Sequence, residues 1–452
     1  MRHMPACVIA SAVMQCPKNI NQNRFCQLSR YIGGAMMRRI KTIARSMVAA
    51  IGLSLASAAT LAQQTIQVAY IDPLSGGGAS IGEHGLKHFR YIADQLNTAG
   101  GVLGRKFEII PFDGKTNPQE SIVQAQKAID RGIRIITQGN GSAVAAALSE
   151  FVTKHNARNP GKEVIYLNYA AVDPSLTNDK CSWSHFRWDA DSDTKMAALT
   201  NFMKTRTSVK RVYLINQDYS FGHSVRAQAV AMLKEKRPDV QVVGNELHPL
   251  LKINDFAPYI AKIKASGADS VITGNWGQDF ALLLKAAADA GLKVDWYTYY
   301  AGGAGGPTAI KQTGLSDRVF AVVEGHANVP NPPSQAIETD FRPRTGQAVW
   351  YPRAFNQMYM LSEAIKAAGA VDAKKIAQKL EGMRITTHNG GVGYMRTDNH
   401  QFIQDMYIAS LGPLPPGAKF DEEGTGWGWK TLGKVDGKDT ELATTCKMSR
   451  PY

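Results

Sequence analysis

Residues able to do covalent chemistry are few in this chain and stand apart from one another. His223, His326, His388 and His400 occur singly, with no G-x-S-x-G, no H-E-x-x-H and no Cys beside a persuasive His and Asp. Asp218, Glu324 and Asp405 read as ion-pair partners rather than as acid or base. No catalytic residue, no metal and no cofactor is therefore expected. What the chain concentrates instead is a set of small and aromatic residues directly behind short apolar runs. These are Ser75 to Gly78, Asn140 to Ser142, Tyr169 to Val172 with Ala170 among them, Tyr219 and Ser220, Trp276, and Tyr299 to Gly306, which includes Tyr300 and Ala301. Small residues let backbone approach a bound molecule, and Tyr or Trp supplies a flat wall with a polar tip. That composition suits binding.

Ser142 opens the pattern SAVAAALSEFVTKHN, where its hydroxyl and the first free amides of a helix can hold a carboxylate at the positive end of the helix dipole. The plain alternative is an ordinary helix cap. The run SGGGASIG lacks the Lys-Ser/Thr of a phosphate-binding loop and fails the dinucleotide fingerprint, so it reads as a tight turn into a helix. GGAGGP after Tyr300 reads either as a flexible loop or as one lining a cleft.

The elements that position these residues follow a repeated βαβ grammar. TIQVAYI precedes GLKHFRYIADQLNTAG, KFEIIPFD precedes PQESIVQAQKAIDRG, and RIITQGN precedes the helix of Ser142. After residue 188 the pattern resumes with RVYLINQ, VQVVGNEL, ADSVITG, VDWYTYY and the helices between them. Two parallel sheets covered by helices are expected, an α/β fold of two doubly wound lobes. The length left after export, about 390 residues, also exceeds what one core usually supports. In such sheets ligands collect outside the carboxyl ends of the strands, where the residues above fall. CSWSHFRWDADSDT and VFAVVEGHANVPNPP break the pattern and mark crossings between lobes. From about Leu411 the chain is rich in Gly, Pro and Trp and is expected to wrap the surface.

Residues 36–62, MMRRIKTIARSMVAAIGLSLASAATLA, read as a signal peptide, with Thr60 and Ala62 at the recognition positions and no Cys following to carry a lipid. A soluble periplasmic protein is expected, and residues 1–35 read as an upstream extension. Export changes the meaning of the charge. The chain holds 52 Lys and Arg against 38 Asp and Glu; less the eight basic residues of 1–62, 44 remain, and the net falls from +14 to +6. No basic run interleaved with aromatics survives, which argues against nucleic acid. Cys181 and Cys446 are the two cysteines beyond residue 62, and an oxidising compartment lets them pair.

Several stretches in one order resemble the leucine/isoleucine/valine-binding proteins, a family of type I periplasmic solute-binding proteins. They are IQVAYIDPLSGGGASIGEHGLKHFRYIADQLNTAGGVLGRKFEIIPFDGKTNPQESIVQAQKAI, YAAVDPSLT, HFRWDADSD, NQDYSFGHSV and DFAPYIAKIKASGADSVITG. The resemblance implies two lobes joined by a three-segment hinge, 63–188 with 326–401 and 189–325 with 402–452. It further implies a monomer that closes on its ligand and hands it to an ABC permease in the inner membrane, or, alternatively, a ligand-sensing receptor subunit. By the same resemblance the ligand carboxylate falls to Ser142 and the backbone at Ala170, and Tyr219 and Trp276 form aromatic walls. Asn140, Ala143, Tyr300 and Ala301 complete the expected ligand set.

Two departures bear on the ligand. Val172 stands where the amino-acid binders have Thr, and AGGAGG replaces a loop that carries an acidic residue in them. A buried ammonium without acceptor or counter-charge costs several kcal/mol. The expected ligand is thus a small organic carboxylate, an amino acid or an aromatic acid, and these departures favour one whose remainder is aromatic or otherwise lacks the amino group. Glu324 is either a substitute counter-charge or a hinge ion pair.

Overall fold

The computed structural model describes residues 65–452, so the expected extension and signal peptide lie outside the described residues. Five parallel strands form the first sheet: β1 (Ile66–Asp72), β2 (Phe107–Asp113), β3 (Ile135–Gln138), β4 (Ile165–Asn168) and β5 (His185–Arg187), in the order β2-β1-β3-β4-β5. Strands β3, β4 and β5 are buried at every position. Helices on both faces of a parallel sheet require this, and it explains why these runs show no alternation of apolar and exposed polar positions. The helices are α1 (Ala79–Thr98), α2 (Pro118–Asp130) and α3 (Ser142–Arg158). Asn117 caps α2 by accepting from Glu120 N at 2.9 Å, and Pro118 follows at the first turn, as the expected helix start requires.

The second sheet has the order β15-β14-β10-β9-β8-β6-β7. Its parallel part is β6 (Arg211–Gln217), β7 (Gln241–His248), β8 (Ser270–Thr273), β9 (Asp295–Thr298) and β10 (Val319–Val323). The helices of this series are α4 (Ser192–Met203), α5 (Ser220–Lys236), α6 (Ala257–Ala265), α7 (Gln278–Asp289) and α8 (Gly306–Gln312). The chain then forms α9 (Pro332–Thr345), α10 (Pro352–Ala368) and α11 (Ala373–Leu380). A small antiparallel sheet follows, of β11 (Arg384–Thr386), β12 (Val392–Met395) and β13 (Phe402–Ile403).

The carboxyl-terminal stretch corrects the sequence reading. It does not merely wrap the surface: β14 (Met406–Pro413) and β15 (Trp427–Val435) are antiparallel strands at one edge, so the second sheet is mixed. Trp427 and Trp429 are buried, and between them a Cβ at Gly428 would come within 2.6 Å of Leu414 and 2.8 Å of the Phe420 carbonyl. Beyond this hairpin the tail lies on the first-sheet side. There Thr444 Oγ1 donates to Thr177 O at 3.0 Å, and a disulfide joins Cys446 to Cys181 with 5.7 Å between the Cα atoms. No helix among the described residues is long and apolar enough to cross a membrane.

Candidate functional site

The carboxyl ends of both sheets border one cavity. From the first sheet come Gly139 to Ser142 after β3 and Ala170 to Val172 after β4. From the second come Tyr219 and Phe221 after β6, Trp276 after β8, and Tyr300 and Gly303 after β9. Ile81 of α1 and Trp350, Tyr351 and Arg353 at the start of α10 complete the wall.

Ser142 is the first helical residue rather than the cap. Gly141 precedes it at φ 101°, a conformation few residues other than glycine adopt, and no side chain caps the helix. The Ser142 hydroxyl accepts from Asp173 N at 3.3 Å, which leaves its hydrogen to donate. The amides of this first turn have no partner within the helix. Behind them, Asp72 Oδ1 accepts from Asn140 N at 2.8 Å, while Tyr169 OH donates to Asp72 Oδ2 at 2.7 Å and Asn140 Nδ2 donates to Tyr169 OH at 2.8 Å. Burial pushes the Asp72 carboxyl up to about 7, although these hydrogen bonds pull it down. The cradle is thus locked from behind by a buried network of which Asn140 lines the cavity and Asp72 and Tyr169 do not.

The opposite wall is aromatic. Trp276 Nε1 donates to Tyr219 OH at 2.8 Å, and Tyr300 OH donates to Asp189 Oδ2 at 2.9 Å and, longer, to Ala170 O at 3.4 Å. Trp350 stacks on Trp429 with 6.4 Å between centroids, and a Cβ at Gly302 would lie 2.0 Å from the Trp350 ring.

Of the expected ligand residues, Asn140, Ser142, Ala170, Val172, Tyr219, Trp276 and Tyr300 line this cavity, whereas Ala143, Ala301 and Glu324 do not. Ala143 follows Ser142 in the helix and is therefore turned by about 100° from it. Ala301 is fully buried, its carbonyl packed where a Cβ at Gly306 would sit. Glu324 is held in a buried ion cluster: Lys195 Nζ lies 3.3 Å from its Oε1 and Arg353 Nη1 donates to its Oε2 at 2.7 Å. Lys195 also lies 2.6 Å from Asp189 Oδ1. Asp218 and Asp405 likewise take partners, His223 at 2.9 Å and Lys434 at 2.8 Å.

Strand-end inspection missed Trp350, Tyr351 and Arg353, because they follow a helix and a turn rather than a strand. The available signal was Pro352, which marks a helix start and so a place where a chain end can face a ligand. Among the described residues, no cluster of His, Cys, Asp and Glu could hold a metal ion.

The family profile described as periplasmic binding protein matches residues 65–414. The chain belongs to that family. A protein of Brucella abortus, "Leu/Ile/Val-binding protein homolog 4", is 34% identical over 428 residues, covering 91% of this chain and 99% of the relative. Among solved structures, the leucine-, isoleucine-, valine-, threonine- and alanine-binding protein of Brucella ovis in its closed conformation is 32% identical. It superposes with a TM-score of 0.76 over 86% of this chain and 100% of that one. A solute-binding protein of an ABC transporter from Rhodopseudomonas palustris, solved with 3,4-dihydroxybenzoic acid, shares the fold at 18% identity. Its TM-score is 0.68 over 82% of this chain and 98% of that one. Periplasmic binding proteins of this type are two-lobed α/β proteins that bind solutes for ABC transporters and are not enzymes.

Proposed function

We propose that this periplasmic binding protein captures a small organic carboxylate lacking an amino group and delivers it to an ABC permease in the inner membrane. The carrying observation is the chemistry of the cavity wall. It sets the Ser142 hydroxyl and the first amides of α3 against six aromatic rings, and among the described residues that line it there is no Asp or Glu. An amino acid brings an ammonium group that would find no counter-charge there, at a cost of several kcal/mol. A flat acid would meet the amides with its carboxylate and Tyr219, Trp276 and Tyr300 with its remainder. The Rhodopseudomonas protein shows that this fold accommodates a dihydroxybenzoic acid, and the Brucella relatives carry names of amino-acid binders. The wall composition favours the first class here.

Capture proceeds by closure of two lobes, 63–188 with 326–401 on 189–325 with 402–452 apart from the tail that Cys446 ties to Cys181 of the first lobe, about a hinge that holds the Asp189 and Glu324 ion cluster. A ligand favours closure only through contacts better made in the closed form, which gives the second-lobe aromatics their role. The ligand emerges chemically unchanged. A thermal-shift panel of branched-chain amino acids, benzoate, 4-hydroxybenzoate and phenylacetate tests the proposal. Stabilisation by at least one arylcarboxylate and little by leucine or valine is expected, and the reverse pattern overturns it.

A further inference from the structure

Granted the carboxylate-binding function proposed above, we infer that Arg353 is the residue that selects acids, its unpaired guanidinium edge donating to the bound carboxylate. Arg353 is 1% exposed and stands in the first turn of α10. It is the one charged residue among those that line the cavity in the described part of the chain. Its guanidinium is divided between two tasks. Nη1 donates to Glu324 Oε2 at 2.7 Å, and Nε lies 3.5 Å from Asp189 Oδ2 without a hydrogen bond, while Nη2 is likewise buried with no hydrogen-bond partner in the protein. The ring of Tyr351 lies 4.9 Å from the guanidinium carbon and that of Tyr300 6.0 Å, so aromatic faces flank the group.

A buried N–H without an acceptor is costly, and a planar guanidinium suits the two oxygens of a carboxylate. The surrounding charges do not cancel this preference. Lys195 engages both Asp189 and Glu324, which frees the far side of Arg353 from them. Burial and the neighbouring Glu324 carboxylate raise the Asp189 carboxyl, while Arg353 and Lys195 lower it. Arg353 is held in place by the hinge carboxylates. The same fixed positive group repels an ammonium, which makes it a filter against zwitterions as well as an anchor for anions.

Calorimetry on the full exported chain compares benzoate, 4-hydroxybenzoate and phenylacetate with their carboxamides, which keep the shape and lose the charge. In the wild type, the best-bound acid should exceed its amide at least tenfold. In Arg353→Gln that acid should weaken at least thirtyfold, the amide should change less than threefold, and the preference should vanish. The double variant Arg353→Gln/Glu324→Gln removes one charge of each sign from the cluster and should show the same loss of preference if the single variant folds poorly. A retained tenfold preference in either variant overturns the role of Arg353 and leaves the receptor function standing. A wild type that takes up none of the three acids overturns the carboxylate function itself.

Discussion

Trp276 and Tyr219 are joined by a 2.8 Å hydrogen bond between the indole N–H and the phenol oxygen, although they follow different strands, β8 and β6. The bond sets two rings as one wall. Trp276 is 6% exposed and Tyr219 partly buried, so the wall is rigid before any ligand arrives. Replacing Trp276 with Ala should weaken binding of the best acid by about 2 kcal/mol, roughly thirtyfold. Unchanged affinity by calorimetry would remove the residue from the site.

Ser142→Ala tests the cradle. The hydroxyl already accepts from Asp173 N, so the variant should lose about 1 kcal/mol of stability along with any bond to the ligand. Affinity for a carboxylate should drop about tenfold, and affinity for the matching amide should drop less, since hydrogen bonds to charged groups are the stronger. Equal losses for acid and amide would mean that the hydroxyl does not meet the charged end.

Gly302 has no room for a side chain beside Trp350. Gly302→Ala should destabilise the protein by about 1–3 kcal/mol through overpacking and should displace the indole that lines the cavity. Urea unfolding combined with a binding titration checks both effects; a variant as stable as the wild type would contradict the close approach.

Asp72 ties stability to pH. Its carboxyl is raised to about 7 in the folded protein, so the native state holds a proton that the unfolded chain has released above the ordinary carboxylate range. Its contribution is therefore present in full below about pH 4 and is lost as pH rises toward 7, at about 1.4 kcal/mol per pH unit. Asp72→Asn removes this titration while keeping an acceptor for Asn140 N. Unfolding free energies at pH 5, 6 and 7 should show the variant gaining on the wild type as pH rises, and a constant difference would rule out Asp72 as the source.

The disulfide closes a span of 265 residues between the tail and the first-sheet side. Replacing both Cys181 and Cys446 with Ser should cost about 2–5 kcal/mol. Differential scanning calorimetry should show a lower Tm, and an unchanged transition would mean that the tail is held by its hydrogen bonds alone.

Much of this architecture was legible from residue order. Apolar runs such as IQVAYID and VFAVV became strands, helix starts such as Asn117-Pro118 appeared where caps and Pro marked them, and strand ends carried Ser142, Tyr219 and Trp276 to the cavity. These are local properties, set by periodicity and by the rule that parallel strands expose their carboxyl ends to ligands. Tertiary structure alone decided the rest. The β14–β15 hairpin gains its place by pairing with β10, whose Phe320 faces Ser410 from 90 positions away. Arg353 likewise becomes a cavity residue only because α10 returns its first turn to Glu324 and Asp189. Sequence determines which segments form strands and helices, through contacts between near neighbours. Which distant side chains share a cavity, and which charge is left with an unpaired edge, depends on long-range packing that no local pattern encodes.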